Sequence, residues 1–263
     1  YQLKDYYKKI TSQKCCSVFH YNESLGEKNS VKKAEQELKN RYESLENKYD
    51  KFLAENYDYK ANTYETNKIN LLSNPTSLYA KQPTVYYGLM YLAKNAKKEV
   101  KIHTPYIICN DYMYNELKNI KVPTTIMTNS AENNGNIFGA VDYLNHKKDI
   151  INTGVTIKEY EGGISYHGKS MTIDDDIAIV GSFNMDMRSA YLDTELMLVI
   201  NSKDINKQLK ASMEEYEKKA ATVKNETEYS HIPEGMKMKE LSDKKKNIKA
   251  WFGWAMNGLR FLF

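Results

Sequence analysis

From residue 30 to about residue 55 the apolar positions Val31, Ala34, Leu38, Tyr42, Leu45, Tyr49 and Phe52 recur every three or four residues among dense charges. That spacing predicts a long amphipathic helix. Such a stripe more often lies on its own domain than on a partner or in a coiled coil. Upstream, residues 1–13 read as the interior of a helix with no start signal, which predicts that further chain precedes Tyr1 in the natural protein. Past Asn74 and Pro75 the pattern changes. It predicts a helix over 84–97, an apolar strand over 100–103, a helix over 111–119, a strand over 124–128, a helix over 139–152 and a strand over 155–160. Three closely spaced strands at 166–173, 177–180 and 195–200 then precede a charged helix over 204–220. This alternation predicts an α/β sandwich, a mixed β-sheet flanked by helices.

Beyond Ala221 the chain turns polar, then basic at Lys244, Lys245, Lys246 and Lys249, and ends aromatic at Trp251, Phe252, Trp254, Phe261 and Phe263. As a helix, this end would place Lys249, Gly253, Asn257 and Arg260 on one narrow face and apolar residues almost everywhere else. That pattern predicts an amphipathic tail lying on a membrane surface, against the alternative of a terminal helix docked on the core. The apolar run covers roughly 20 Å at about 1.5 Å per residue, short of the roughly 30 Å hydrocarbon core. Three segments follow from these patterns: a helical lead-in over 1–73, an α/β domain over 74–220, and a linker with its tail over 221–263.

Composition changes this picture little. The 263 residues are 41% hydrophobic and 27% charged, as in an ordinary globular protein. No stretch of about 20 apolar residues is present, and no charged-then-apolar leader opens the chain. A formal net charge of +4 is too mild to mark a nucleic-acid binder. Cys15, Cys16 and Cys109 form no CxxC pair, so neither a disulfide framework nor a zinc site is expected.

The chemistry gathers in residues 166–184, YHGKSMTIDDDIAIVGSFN. His167, Lys169, Asp174, Gly181, Ser182 and Asn184 stand at fixed spacings that rarely coincide by chance. Alternation along a strand would turn His167 and Lys169 to one face, where an imidazole and an ammonium can meet one phosphate. A hairpin return through residues 174–176 would bring the Ser182 hydroxyl and the Asn184 amide beside them as donors.

This pattern resembles the HKD motif of the phospholipase D superfamily. The resemblance implies a metal-free and cofactor-free exchange of phosphodiesters, in which one histidine attacks phosphorus and a second protonates the leaving alcohol. It implies that Lys169, Ser182 and Asn184 hold the phosphate oxygens and that Glu195, thirteen residues beyond Ser182, orients the histidine. Asp174 completes the motif with a more structural part. A working site of this family needs two motifs, and none of His20, His103, His146 or His231 is followed two residues later by Lys. The chain therefore holds one half-site. It calls for a missing first half, with His167 then the general acid and base, or for a second copy of itself.

The flanks VKIHTPYI (100–107), Asn129 with Ser130, VTIKEY (155–160) and GSFNMDMRSAYLDTE (181–195) are similar to the C-terminal half of bacterial cardiolipin synthases over about 74–200, with Met187 where relatives often carry Pro. The resemblance implies a phospholipid substrate, a phosphatidyltransferase or phospholipase activity and peripheral attachment to a bacterial cell membrane. A nuclease working as a homodimer stays open as an alternative, with lysines near 94–101 tracking phosphates. So does an inactive scaffold.

Overall fold

The charged amphipathic pattern over 30–55 does form a helix. In the computed structural model, which describes residues 23–53, 58–61, 63–76, 79–252 and 258–262, a short helix α1 (Glu23–Gly26) is followed by α2 (Asn29–Leu53). The readings made on residues 1–13, Cys15, Cys16, His20, Gly253, Trp254, Asn257 and Phe263 lie outside the described residues. The chain divides into two units between Thr63 and Tyr64. In the first, Lys39 pairs with Glu35 and Arg41 with Glu37 one turn away, while Val31, Leu38, Tyr42 and Leu45 are all exposed.

The second unit is built on a nine-stranded mixed sheet. In chain order its elements are β1 (Lys68–Ser73), α3 (Thr84–Lys94), β2 (Val100–His103), β3 (Ile107–Ile108), α4 (Asp111–Lys118), β4 (Thr124–Asn129), α5 (Ile137–Ile151), β5 (Thr156–Tyr160), β6 (Ser170–Ile173), β7 (Ile177–Gly181), β8 (Met185–Asp186), α6 (Met187–Tyr191), β9 (Leu196–Asn201), α7 (Lys203–Glu217), β10 (Ala220–Val223), β11 (Tyr229–His231) and α8 (Asp243–Phe252). A 3-10 turn, Arg260–Leu262, ends the described chain. The strand order is β1-β9-β7-β6-β2-β4-β5-β10-β11, with β3 and β8 forming a separate parallel pair. β2, β4 and β5 run parallel and the outer strands antiparallel.

Strand alternation sorts side chains between the two faces. Val100, Ile102, Ile126, Ile157, Met171, Ile173 and Ile179 enter one core with Val85 and Leu89 of α3, Met113 and Leu117 of α4, and Tyr143 and Ile150 of α5. On the opposite face Lys101 and His103 of β2 and Lys158 of β5 reach Glu214 and Glu217 of α7. Three nitrogens converge on Glu217: His103 Nε2 at 3.2 Å, Lys158 Nζ at 2.5 Å and Lys101 Nζ at 3.8 Å. Burial raises the Glu217 pKa, but the His103 and Lys158 hydrogen bonds and the Lys101 charge more than reverse that, down to about 2.

Three expectations need correction. The helical lead-in does not reach residue 73, because β1 pairs with β9 along its whole length and belongs to the sheet. The α/β unit therefore begins at Tyr64. The chain after Ala221 is not a linker at its start: β10 and β11 extend the sheet past β5. The tail is docked rather than free. Lys245 of α8 is buried and donates to the carbonyls of Ala131, Glu132 and Asn134 at 2.5 to 3.0 Å. Arg260, expected on a polar outer face, instead inserts against buried Asp142 (Nε–Oδ1 2.6 Å, Nη2–Oδ2 3.1 Å) and the Cys109 carbonyl. Trp251, Phe261 and Leu262 remain exposed. Among the described residues no helix is long and apolar enough to cross a membrane.

Candidate active site

β6 and β7 form the expected hairpin, and its turn shows what Asp174 does. Asp174 has φ 53°, a left-handed conformation that Asp tolerates better than most residues. Its carboxylate accepts the backbone N–H groups of Lys97 (2.9 Å), Lys98 (2.7 Å) and Glu99 (3.2 Å). Burial raises its pKa, the three amides together outweigh that, and the net direction is downward. Asp174 thus ties the hairpin turn to the chain entering β2. The length of β6, roughly 13 Å at about 3.3 Å per residue, separates it from the catalytic candidates, so its inclusion among them is corrected to a structural tie.

At the other end of β6 the strand is shorter than expected. Residues 166–169 lie outside it because the Asn129 side chain takes over the backbone: it accepts from Tyr166 N–H (2.7 Å) and donates to Tyr166 C=O (2.9 Å). The Tyr166 hydroxyl lies 3.3 Å from buried His103 Nδ1. His167 and Lys169 still meet, through this clamp rather than through strand alternation. Lys169 Nζ is 2.8 Å from His167 Nδ1 and 2.7 Å from the His167 carbonyl oxygen. The same Nζ is 3.3 Å from Nε2, so the ammonium lies against both ring nitrogens. Desolvation and then the Lys169 charge lower the His167 pKa. Lys169 is lowered too, by desolvation, against the pull of Glu195 and Asp186. The Tyr106 ring meets the imidazole edge-on at 6.1 Å between centroids.

β7 then brings back the second half of the motif. A Cβ on Gly181 would sit 2.1 Å from the Leu196 carbonyl oxygen, so only glycine lets β7 close this tightly on the start of β9. Ser182 Oγ donates to Glu195 Oε2 and accepts the Leu196 amide at 3.0 Å. Buried Ser189 donates to Glu195 Oε1 at 3.0 Å, and its oxygen accepts the Asn184 side-chain amide at 3.2 Å. Glu195 therefore orients Ser182 and, through Ser189, Asn184. The expectation that it holds the histidine is corrected, because Lys169 occupies the His167 ring.

Several contributors lay outside the sequence reading. Asp186 caps α6 by accepting the Ser189 amide at 2.6 Å, and burial pushes its pKa up to about 6 against the Ser189 hydrogen bonds. An Asp three residues before a Ser at a helix start is the signal that was available for this cap. Lys81 is buried beside the site, donates to Thr194 Oγ1 at 2.7 Å, and has its pKa lowered by desolvation. No local pattern announces it. Three of the four lysines at 94–101, expected as a phosphate track in the nuclease alternative, are engaged elsewhere: Lys94 with Glu116, Lys98 with Asp175, and Lys101 with Glu214.

A histidine and lysine at the mouth of a β-hairpin, with a serine and an asparagine held on one carboxylate, on a mixed sheet between helices, define a phospholipase D-like half-site. Residues 89–216 match the family model described as cardiolipin synthase, PLD-like domain. Cardiolipin synthase 1 of Staphylococcus epidermidis (strain ATCC 12228) is 31% identical over 159 residues, which cover 59% of this chain and 32% of that protein. Cardiolipin synthase 1 of Staphylococcus aureus (strain COL) is 27% identical over 192 residues, covering 70% and 38%. Among solved structures, phosphatidylserine synthase of Haemophilus influenzae Rd KW20 shares the fold, with a TM-score of 0.53 at 16% identity over 74% of this chain and 48% of that one. Residues 89–216 are a phospholipase D-like domain of the cardiolipin synthase kind. It spans about a third of the length of the curated relatives it matches.

Proposed function

We propose that this chain supplies one half of a phospholipase D-type active site that transfers or hydrolyses phosphatidyl groups, in the manner of a cardiolipin synthase. The observation that carries the reading is the approach of Lys169 to His167 beside Ser182 and Asn184, on a chain similar to cardiolipin synthases. A substrate phosphate would draw the Lys169 ammonium off the ring, removing one of the two causes that lower the His167 pKa. One histidine of the completed site attacks phosphorus and displaces the first alcohol, to which the other gives its proton. The second then takes the proton of the incoming alcohol or water as its oxygen bonds to phosphorus and the P–N bond to the first histidine breaks. Lys169, Ser182 and Asn184 neutralise and hold the phosphoryl oxygens. Attachment to the membrane surface through exposed Trp251, Phe261 and Leu262 fits a lipid substrate.

The test is turnover of phosphatidylglycerol in anionic vesicles by the completed enzyme, with acid-labile adducts sought on the protein by mass spectrometry after rapid quenching at alkaline pH, where phosphohistidine survives. His167→Ala is expected to abolish turnover and Lys169→Ala to lower it at least about 100-fold. Undiminished activity in either variant would sink the mechanism.

A further inference from the structure

The apolar stripe of α2 repeats in steps of eleven: Val31 with Tyr42, Ala34 with Leu45, Leu38 with Tyr49. Eleven residues in three turns is 3.67 per turn, so the stripe stays nearly parallel to the axis of an α-helix and suits a second helix lying almost straight along it. The described side chains of this stripe face outward: Leu38 is 65%, Tyr42 60% and Leu45 54% exposed.

The borders of the stripe say which occupant fits. At about 100° per residue, Glu35 and Glu46 fall on one border and Arg41 and Lys48 on the other. In a parallel pair of identical helices the acidic border of each copy faces the basic border of the other, and residue i meets residue i+5 across the seam. Arg41 then meets Glu46 of the second copy, twice by symmetry. In an antiparallel pair, acidic borders would face each other and basic borders likewise, which is repulsive. Arg41 now pairs with Glu37 of its own helix at 2.8 Å, an exposed contact that is cheap to exchange.

We propose that α2 is a self-pairing helix that docks in parallel on α2 of a second copy of this chain. Parallel pairing puts the chain that follows each helix at the same end, raising the local concentration of one α/β unit around the other. That two copies of His167 could then complete one site rests on the half-site reading above; the pairing itself does not.

The test is the mass of the full chain at micromolar concentration by light scattering and sedimentation, where twice the chain mass is expected. Leu38→Asp with Leu45→Asp should give the monomer while leaving the thermal transition of the α/β unit in place. Arg41→Glu should weaken the dimer at least about 10-fold, and adding Glu46→Arg on the same chain should restore it, an outcome that simple misfolding does not produce. With Cys15 and Cys16 replaced by Ser, Val31→Cys should form a disulfide to its own copy on oxidation, as a parallel seam requires. A monomeric wild-type chain, a dimer indifferent to the two Asp substitutions, or charge reversals without rescue would overturn the proposal. A parallel dimer that turns over no phosphodiester would count against the half-site reading and not against the pairing.

Discussion

Ser189 shows how much of the site rests on a residue that touches no substrate. Its hydroxyl joins Asn184 to Glu195, whose other oxygen holds Ser182. Ser189→Ala leaves the Asn184 amide and one carboxylate oxygen without their partner, so kcat is expected to fall about 10-fold or more with KM little changed, which steady-state kinetics on vesicles would read. Asp186 carries a pH signature. With its pKa raised to about 6 in the fold from 3.8, the native state binds the extra proton between those values, so its contribution to stability is full below about pH 4 and declines as pH rises to about 6. Asp186→Asn keeps an acceptor for the Ser189 amide and removes that loss. The variant is expected to melt higher than wild type at pH 7 to 8, with the gap closing at pH 4, in thermal scans across that range. At this scale the motif residues were legible because their spacing is fixed. Ser189 and Asn129 were not legible as partners, because a hydrogen bond between residues distant in sequence leaves no periodic trace.

Among the elements, the buried strands of the parallel core were readable from their apolar runs, and their ends moved by only a residue or so. β1, β10 and β11 were not. Lys68–Ser73 is short and largely exposed, and it is a strand because β9 offers a free edge. Its pattern alone does not demand one. The tail shows the same limit in the opposite sense. Its composition suited an interface helix, yet Arg260 is drawn in by a buried carboxylate that sequence cannot place beside it. Removing one partner of a buried pair strands the other charge, so Arg260→Ala is expected to cost about 3 kcal/mol or more in urea unfolding. Arg260→Ala with Asp142→Ala should recover part of that loss, and an additive double variant would show the pair to be uncoupled.

For the molecule as a whole, the division at Thr63 and Tyr64 is the consequential boundary. A fragment spanning residues 64–263 is expected to unfold cooperatively, with the midpoint of the α/β unit in the full chain. One spanning 74–263 loses β1, exposes the edge of β9 and should melt several degrees lower by calorimetry. The sequence by itself determined the α/β class, the hairpin that carries the motif and the fixed spacing of His167, Lys169, Ser182 and Asn184 along it. Each depends on local period or fixed spacing, which a single chain displays. Only the tertiary structure decided where the sheet ends, that Asp174 ties the turn, that Glu195 serves Ser182 and Asn184 rather than the imidazole, and that Arg260 is anchored. Those outcomes depend on which distant groups compete for one another once water is excluded, and such competition is settled by packing.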